Sequence, residues 1–338
     1  MGLSLATQAP LNLEERFTEP PGWRWHHFER DGRHIRFGSA FPQDSIPDAV
    51  VVCLQGVGEF SEKYFETARW CLDHNLAFWT FDWMGQGKSA RYLKNPHKRH
   101  SSDFNDDIKD LHYFILEYIK HSSVHPDKGR IPIALMAHSY GAHIGLRFLM
   151  EYPDFFECAA FSAPLVGIKA FENTPPILAN MATSLSNIVM SKSYVPGGGP
   201  WEEETHAAEA KNILSGDPSR AAVHNAWCLA DPELQVGSVT LGWLHKAQIS
   251  CNTLQTFGYA ENIKTPCILG IPGYEHLVDN NKSRLLAQKI PKAEILELPE
   301  SYHEILMEKD EIRNAYLEKF YTLVKETIID RPETLKPF

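Results

Sequence analysis

Ala137-His138-Ser139-Tyr140-Gly141 sets a serine between two small residues, each two positions away. This is the nucleophile-elbow pattern G-x-S-x-G with Ala at the first glycine. On such a turn the backbone is strained and the hydroxyl is pushed out above a sheet, so bulky neighbours do not fit. The chemistry it suggests is acyl transfer, with Ser139 attacking a carbonyl carbon. An ordinary strand–turn–helix with a capping serine would show the same five residues, so the partners decide.

A serine hydroxyl needs a base, and the base needs a carboxylate to orient it. With a nucleophile elbow the chain order is serine, acid, histidine. Downstream, the apolar run Cys267–Gly270 leads into Ile271-Pro272-Gly273-Tyr274-Glu275. A carboxylate just past a strand's carboxyl end faces the right edge of a parallel sheet. Glu275 is the expected acid and Asp279 the runner-up. The next run, Ile295–Leu298, opens into Pro299-Glu300-Ser301-Tyr302-His303-Glu304, and His303 is the expected base. Among 16 histidines it alone has both the order and the setting. His138 is expected to shape the elbow, and His276 to point away from the acid. Two backbone N–H groups would stabilise the oxyanion: that of Tyr140, after the serine, and that of Val57 in Gly56-Val57-Gly58. No metal or organic cofactor is needed.

These residues require a mostly parallel sheet with helices on both faces. Trp23–Phe28 and His34–Phe37 flank an Asp31-Gly32 hairpin signal. Ala49–Leu54 and Leu76–Phe81 are continuous apolar runs suited to buried strands. Between them Ser61 is expected to cap a helix carrying Phe65, Ala68 and Leu72. Ile108, Leu111, Ile115 and Tyr118 form a helical stripe. Ile131–Ala137 is a strand, and Ile144, Phe148 and Leu149 line a helix that ends before Pro153. Gly141 and Gly145 would let that helix approach the sheet closely. Cys158–Phe161 continues the alternation. The last helix carries Ile312, Tyr316, Phe320 and Leu323.

After Pro164 roughly 100 residues pass before the next buried strand, whereas a crossover needs about a dozen. The expectation is a core of residues 1–164 and 247–338, with an inserted cap subdomain at 165–246. The insertion holds Pro175-Pro176, a Gly197-Gly198-Gly199-Pro200 loop and an apolar stripe of Leu178, Met181, Leu185 and Ile188. That stripe could line an acyl pocket, rest on a membrane surface, or pack the cap onto the core. The last is the usual meaning of such stripes.

Composition narrows the function. An apolar fraction of 43% permits a sizeable core, and the net charge of −10 with no long basic run argues against nucleic acid as the main partner. One basic cluster, Arg91, Lys94, His97, Lys98, Arg99 and His100, suits either a solvated loop or a lipid phosphate. Cys53, Cys71, Cys158, Cys228, Cys251 and Cys267 show no C-x-x-C pairing and read as buried thiols in a reducing compartment. No apolar stretch is long enough to span a membrane. Met1–Phe17 lacks the features of a signal peptide, and Ala6 stands where a Gly2 myristoylation site wants Ser or Thr. A soluble, cytoplasmic protein is expected, with peripheral membrane contact left open.

With these residues in place, the chain resembles the lysophospholipase and monoacylglycerol-lipase branch of the α/β-hydrolases, also called serine-aminopeptidase-like. Gln55-Gly56-Val57-Gly58-Glu59 with Glu62-Lys63-Tyr64 is similar to the family's H-G-x-G-E…(K/R)-Y segment. Asp82 to Ser89 is similar to its D-x-x-G-x-G-x-S turn, Gly273 to Asn280 to its acid loop G-x-D-x-x-V-D-N, and His303 to Glu308 to its H-E-(I/L)-L-x-E loop. Bacterial lysophospholipase-like proteins share the Gly85-Gln86-Gly87 form. Gln55, Ala137 and Glu275 depart from the family's His, Gly and Asp. The resemblance implies an α/β-hydrolase fold with an inserted helical cap and a serine carboxylic-ester hydrolase of lysophospholipids or monoacylglycerols. Alternatives on the same three residues are a short-chain carboxylesterase or an aminopeptidase. A non-catalytic binding protein is the remaining reading, and the complete set of three argues against it. The partner is a small-molecule or lipid ester.

Overall fold

Asp31 and Gly32 both adopt left-handed backbone, φ 50° and 71°, as a two-residue hairpin turn requires. They join β1 (Arg24–Arg30) to β2 (Arg33–Ala40) in antiparallel register. The computed structural model describes residues 6–7, 9–125, 129–256 and 258–331. Of the segment Met1–Phe17 read for a signal peptide or lipid anchor, the first five residues, with Gly2, therefore lie outside the described residues, as does residue 8.

The strands that follow are β3 (Ala49–Leu54), β4 (Leu76–Phe81), β5 (Val124–His125), β6 (Gly129–Arg130), β7 (Ile133–His138), β8 (Cys158–Ser162), β9 (Cys267–Pro272) and β10 (Ala293–Leu298). The helices are α1 (Phe65–Asp73), α2 (Phe104–Phe114), α3 (Lys120–Ser122), α4 (Ser139–Glu151), α5 (Pro176–Met190), α6 (Glu203–Glu209), α7 (Pro218–Ala230), α8 (Leu241–Leu254), α9 (Asn280–Ala287) and α10 (Asp310–Val324). Eight strands form one sheet in the order β1-β2-β4-β3-β7-β8-β9-β10, and β5 pairs with β6 alone. From β4 to β10 every pairing in the large sheet is parallel.

Every residue of β3 is buried, yet the strand period still sorts them. Val50, Val52 and Leu54 face the layer that holds Ile108 and Leu111 of α2 and Ile144 and Phe148 of α4. Ala49, Val51 and Cys53 face the layer of Phe65 and Ala68 from α1 and Tyr316, Leu317 and Phe320 from α10. All six cysteines are buried and unbonded to one another.

The chain goes from β3 outward to β4, then crosses to β7 on the other side of β3. A doubly wound sheet opens a crevice at the carboxyl ends of such a pair of strands. The loop after β3 and the elbow after β7 both lie there.

Two expectations change. Ser61 does not cap α1. It begins a short 3-10 turn, Ser61–Tyr64, and its hydroxyl donates to Asp82 Oδ1 at 2.7 Å. The carboxylate attracts it because Asp82 lies in a buried charge network with Arg36 and Glu62, whose pairs are 2.6 and 2.7 Å long. The second change is α5, which turns its apolar stripe to solvent. Leu178, Met181, Leu185 and Ile188 are 55, 56, 63 and 79% exposed. Its buried residues are Ala179 and Thr183, and Asn180 accepts from Gln248 and Asn252 of α8. Ala179 and these polar groups pack the helix inward, so the stripe does not fix the insertion to the core.

Residues between β8 and β9 carry α5 to α8. Residues 246 and 247 both lie within α8, which packs on α2, α4 and α5. No helix among the described residues is long and apolar enough to cross a membrane.

Candidate active site

β7 ends at His138 and α4 begins at Ser139 with φ 49°. A non-glycine residue in left-handed backbone costs about 1–2 kcal/mol, so packing must hold it there. Gly141 shows how tightly it does. A Cβ on Gly141 would sit 2.5 Å from the carbonyl oxygens of Leu54 and Gln55. The helix therefore enters hard against the end of β3, and its first turn lies beside the Gly56-Val57-Gly58 loop. Ala137, in place of glycine, is fully buried without distorting β7.

His303 brings the three expected residues together. Its Nε2 lies 2.9 Å from Ser139 Oγ, and its Nδ1 lies 2.7 Å from Glu275 Oε2. All three are buried. The other oxygen of Glu275 accepts from the N–H groups of Leu277 and Val278 at 2.6 and 3.1 Å. Burial pushes the Glu275 carboxyl up, but the adjacent imidazole and these hydrogen bonds outweigh it and hold the group below the usual carboxylate range. Burial likewise pulls His303 down, and the Glu275 charge, helped by Glu304 and Glu59, lifts it above the ordinary imidazole value. The longer side chain of Glu, where the family it resembles has Asp, reaches the ring at hydrogen-bond distance.

Asp279, the runner-up acid, is engaged elsewhere. It caps α9 by accepting from the N–H groups of Asn281 and Lys282. His138 contacts the edge of His303, with ring centroids 4.9 Å apart, and faces Ser162 Oγ through Nδ1 at 3.2 Å. Burial, with His303 and Lys63 repelling a proton, drives it down to about 3, so it stays neutral near pH 7. The N–H groups of Ser139 and Tyr140 open α4 and have no acceptor in their own helix. The Tyr140 hydroxyl donates to Asp107 of α2 at 2.7 Å.

Beside the histidine lies a cluster whose roles the sequence did not reveal. Lys63 Nζ donates to Glu59 Oε1 at 2.7 Å and to Glu304 Oε1 at 2.6 Å. Glu59 also accepts from Tyr64 Oη at 2.6 Å and from the N–H of Gly56. One ammonium thus links the loop after β3 to the residue following His303. Glu59, His138 and Glu304 hold potential ligand atoms within 4.8 Å of one another, but the Lys63 ammonium already supplies their cation. Each residue stood in a motif, yet nothing local says that Lys63 meets Glu304.

The insertion abuts the histidine loop through main-chain bonds. Glu304 N–H donates to Leu214 O at 2.8 Å and His303 N–H to Ile213 O at 3.4 Å. The basic cluster is largely engaged within the protein. Arg91 donates to the carbonyls of Gly87, Ser89 and Glu233, Lys98 to that of Lys192, and buried Arg99 to Gln86 and the His100 carbonyl. His97 accepts from the Trp201 N–H. These contacts tie the loop to the insertion, and of the six only Lys94 is exposed, the others being half-buried or buried.

The family model described as serine aminopeptidase, S33, matches residues 45–310. Lysophospholipase L2 of Escherichia coli K12 is 28% identical over 279 residues, covering 80% of this chain and 78% of its own length. Among solved structures, a soluble variant of monoglyceride lipase from Saccharomyces cerevisiae superposes with a TM-score of 0.68 at 16% identity, over 90% of this chain and 96% of that one. Monoacylglycerol lipase of Paleococcus ferrophilus gives 0.64 at 20% identity, over 86% and 98%. At these identities the two structures are a likeness of fold.

Proposed function

Since the chain belongs to the serine aminopeptidase S33 family and has the α/β-hydrolase fold, we propose that it hydrolyses carboxylic esters of lipids through an acyl-enzyme on Ser139. The observation that carries this reading is His303, which bridges Ser139 Oγ and Glu275 within hydrogen-bond reach on both sides.

In the proposed reaction His303 Nε2 takes the hydroxyl proton as Ser139 Oγ bonds to the ester carbonyl carbon. Glu275 holds the ring in the tautomer with its proton on Nδ1 and stabilises the imidazolium. The N–H groups of Val57 and Tyr140 receive the oxyanion. Collapse breaks the bond to the alcohol, which leaves with the proton from His303. Water, activated by the same histidine, then attacks the acyl-enzyme and frees the acid. A neutral His138 beside His303 does not compete for the proton.

Lysophospholipids and monoacylglycerols are the proposed substrates, supported by the names of the relatives and by the solvent-facing apolar stripe of α5. That stripe is the proposed contact with a lipid surface. The proposed cap is the insertion at 165–246, whose residues Ile213 and Leu214 back the histidine loop.

The experiment compares lysophosphatidylcholine, monoacylglycerols, p-nitrophenyl esters of graded chain length and aminoacyl amides, with Ser139→Ala as blank. Preference for long acyl chains and loss of about 10⁴-fold or more in Ser139→Ala are expected. Preference for acetyl esters, or for aminoacyl amides, would remove the lipid reading. A folded protein whose Ser139 does not react with a fluorophosphonate would remove the serine mechanism.

A further inference from the structure

Gln86 sits in the Gly85-Gln86-Gly87 turn after β4 and is fully buried. Its amide has four partners. Nε2 donates to Gly56 O at 2.8 Å and Glu59 O at 2.7 Å. Oε1 accepts from Gly58 N–H at 3.0 Å and Arg99 Nε at 2.9 Å. Two partners can only accept, and two can only donate. The amide therefore has a single orientation, because a flip would set like against like at all four contacts.

Three of these partners belong to the loop that holds Val57. Gly56 O and the Val57 N–H are the two ends of one peptide unit, and that unit is trans. In a trans peptide the C=O and N–H point in opposite directions. Binding Gly56 O to Gln86 therefore aims the Val57 N–H away from Gln86. The next peptide is held as well, since its N–H, on Gly58, binds the same side chain. The opposite flank of the loop meets the elbow, where a Cβ on Gly56 would lie 2.9 Å from Cδ2 of His138.

We infer that Gln86 is a positioning residue that fixes the direction of the Val57 N–H, and so presets the oxyanion donor before substrate arrives. Arg99 completes the arrangement by holding Gln86 Oε1. Its own main chain is bonded to the insertion, with Thr240 N–H donating to Arg99 O at 2.9 Å. The insertion is thereby connected to the oxyanion loop through two buried side chains. This inference rests on the reading of Val57 as an oxyanion donor.

The test uses Gln86→Leu and Gln86→Glu in the full-length protein with a monomeric p-nitrophenyl ester. A misdirected donor costs transition-state binding, so kcat is expected to fall on the order of 10²-fold, the scale of a lost oxyanion-hole donor, with KM nearly unchanged. Affinity for a trifluoromethyl ketone, which forms the tetrahedral adduct, should fall by the same factor as kcat/KM. The acidic limb of the pH profile should not move, because His303 and Glu275 are untouched. A merely structural role would lower the active fraction instead, leaving inhibitor affinity intact. Should Gln86→Leu not fold, Arg99→Lys keeps the cation but loses the Nε contact, and a smaller fall in the same two quantities is expected. Folded variants with wild-type kcat and ketone affinity would overturn the inference. Failure of Ser139→Ala to abolish turnover would instead overturn the serine reading beneath it, so the two failures are distinguishable.

Discussion

Lys63 Nζ lies 2.6 Å from Oε1 of Glu304, a residue 241 positions later in the chain. The Lys63 side chain is 2% exposed, and its ammonium also binds Glu59. Burial disfavours both carboxylates, and Lys63 holds Glu59 well below the usual range. Removing one partner of a buried ion pair leaves uncompensated charge and costs about 3–5 kcal/mol. Lys63→Met is therefore expected to lower the unfolding free energy by about that much, read from urea denaturation. Lys63→Arg, which keeps the charge, should recover most of it. A loss below about 1 kcal/mol, the scale of an exposed pair, would show that the cluster is wetter than its burial implies.

The pH dependence of turnover follows from His303. The base acts only when neutral, and its pKa in the folded protein is raised above 6.5, against burial, chiefly by Glu275. Activity should therefore fall as pH drops through a value above 6.5. Glu275→Gln removes the charge that stabilises the imidazolium, so the proton leaves at lower pH and the acidic limb shifts down. The plateau should also fall, by about 10⁴-fold, because the amide no longer enforces the tautomer. A limb of kcat/KM that stays in place in Glu275→Gln would contradict the assignment of the acid.

Gly141→Ala offers a test of opposite sign to ordinary expectation. Alanine in a helix interior is normally worth about 1 kcal/mol over glycine. Here the new Cβ would meet backbone oxygens at 2.5 Å, atoms that cannot step aside without moving β3. A destabilisation of about 1–3 kcal/mol is expected, as for other overpacked sites, together with loss of turnover as the elbow is displaced. Gly145→Ala meets only side chains, at 3.1 Å, and should be milder in both measurements. Equal effects would mean that the elbow is looser than the contact distances state.

Much of this architecture was legible because the sheet is parallel and covered on both faces. Ala49–Leu54 and Leu76–Phe81 read as buried strands and appear with those bounds. Ser139, Glu275 and His303 could be selected because chain order and strand ends constrain them together. Ser61 misled because a hydroxyl next to a helix usually caps it, whereas here Asp82, brought in by the neighbouring strand, competes for it. The Lys63–Glu304 pair was invisible for a related reason, since it exists only once the sheet closes. Periodicity showed the stripe on α5 but not its direction. Direction depends on what the other face binds, and Asn180 and Thr183 gave no warning that they would be the packed side.

That inverted helix supports the last prediction. Leu178, Leu185 and Ile188 are exposed on one side of α5, and Ile177, at 73%, extends the same surface. Burying a large aliphatic side chain is worth about 1.5–3 kcal/mol, and these are already partly covered by their own helix. At about 1 kcal/mol each, replacing all three by serine should weaken partition into phosphatidylcholine vesicles by roughly 10²-fold. All three side chains are more than half exposed, so the melting temperature should hold within the scatter of surface variants. Hydrolysis of a monomeric short-chain ester should also be unchanged, while hydrolysis of vesicle-borne monoacylglycerol falls with binding. If partition is unaffected but sedimentation shows a wild-type dimer that the variant lacks, then the stripe covers a second copy of the chain and the membrane contact is refuted.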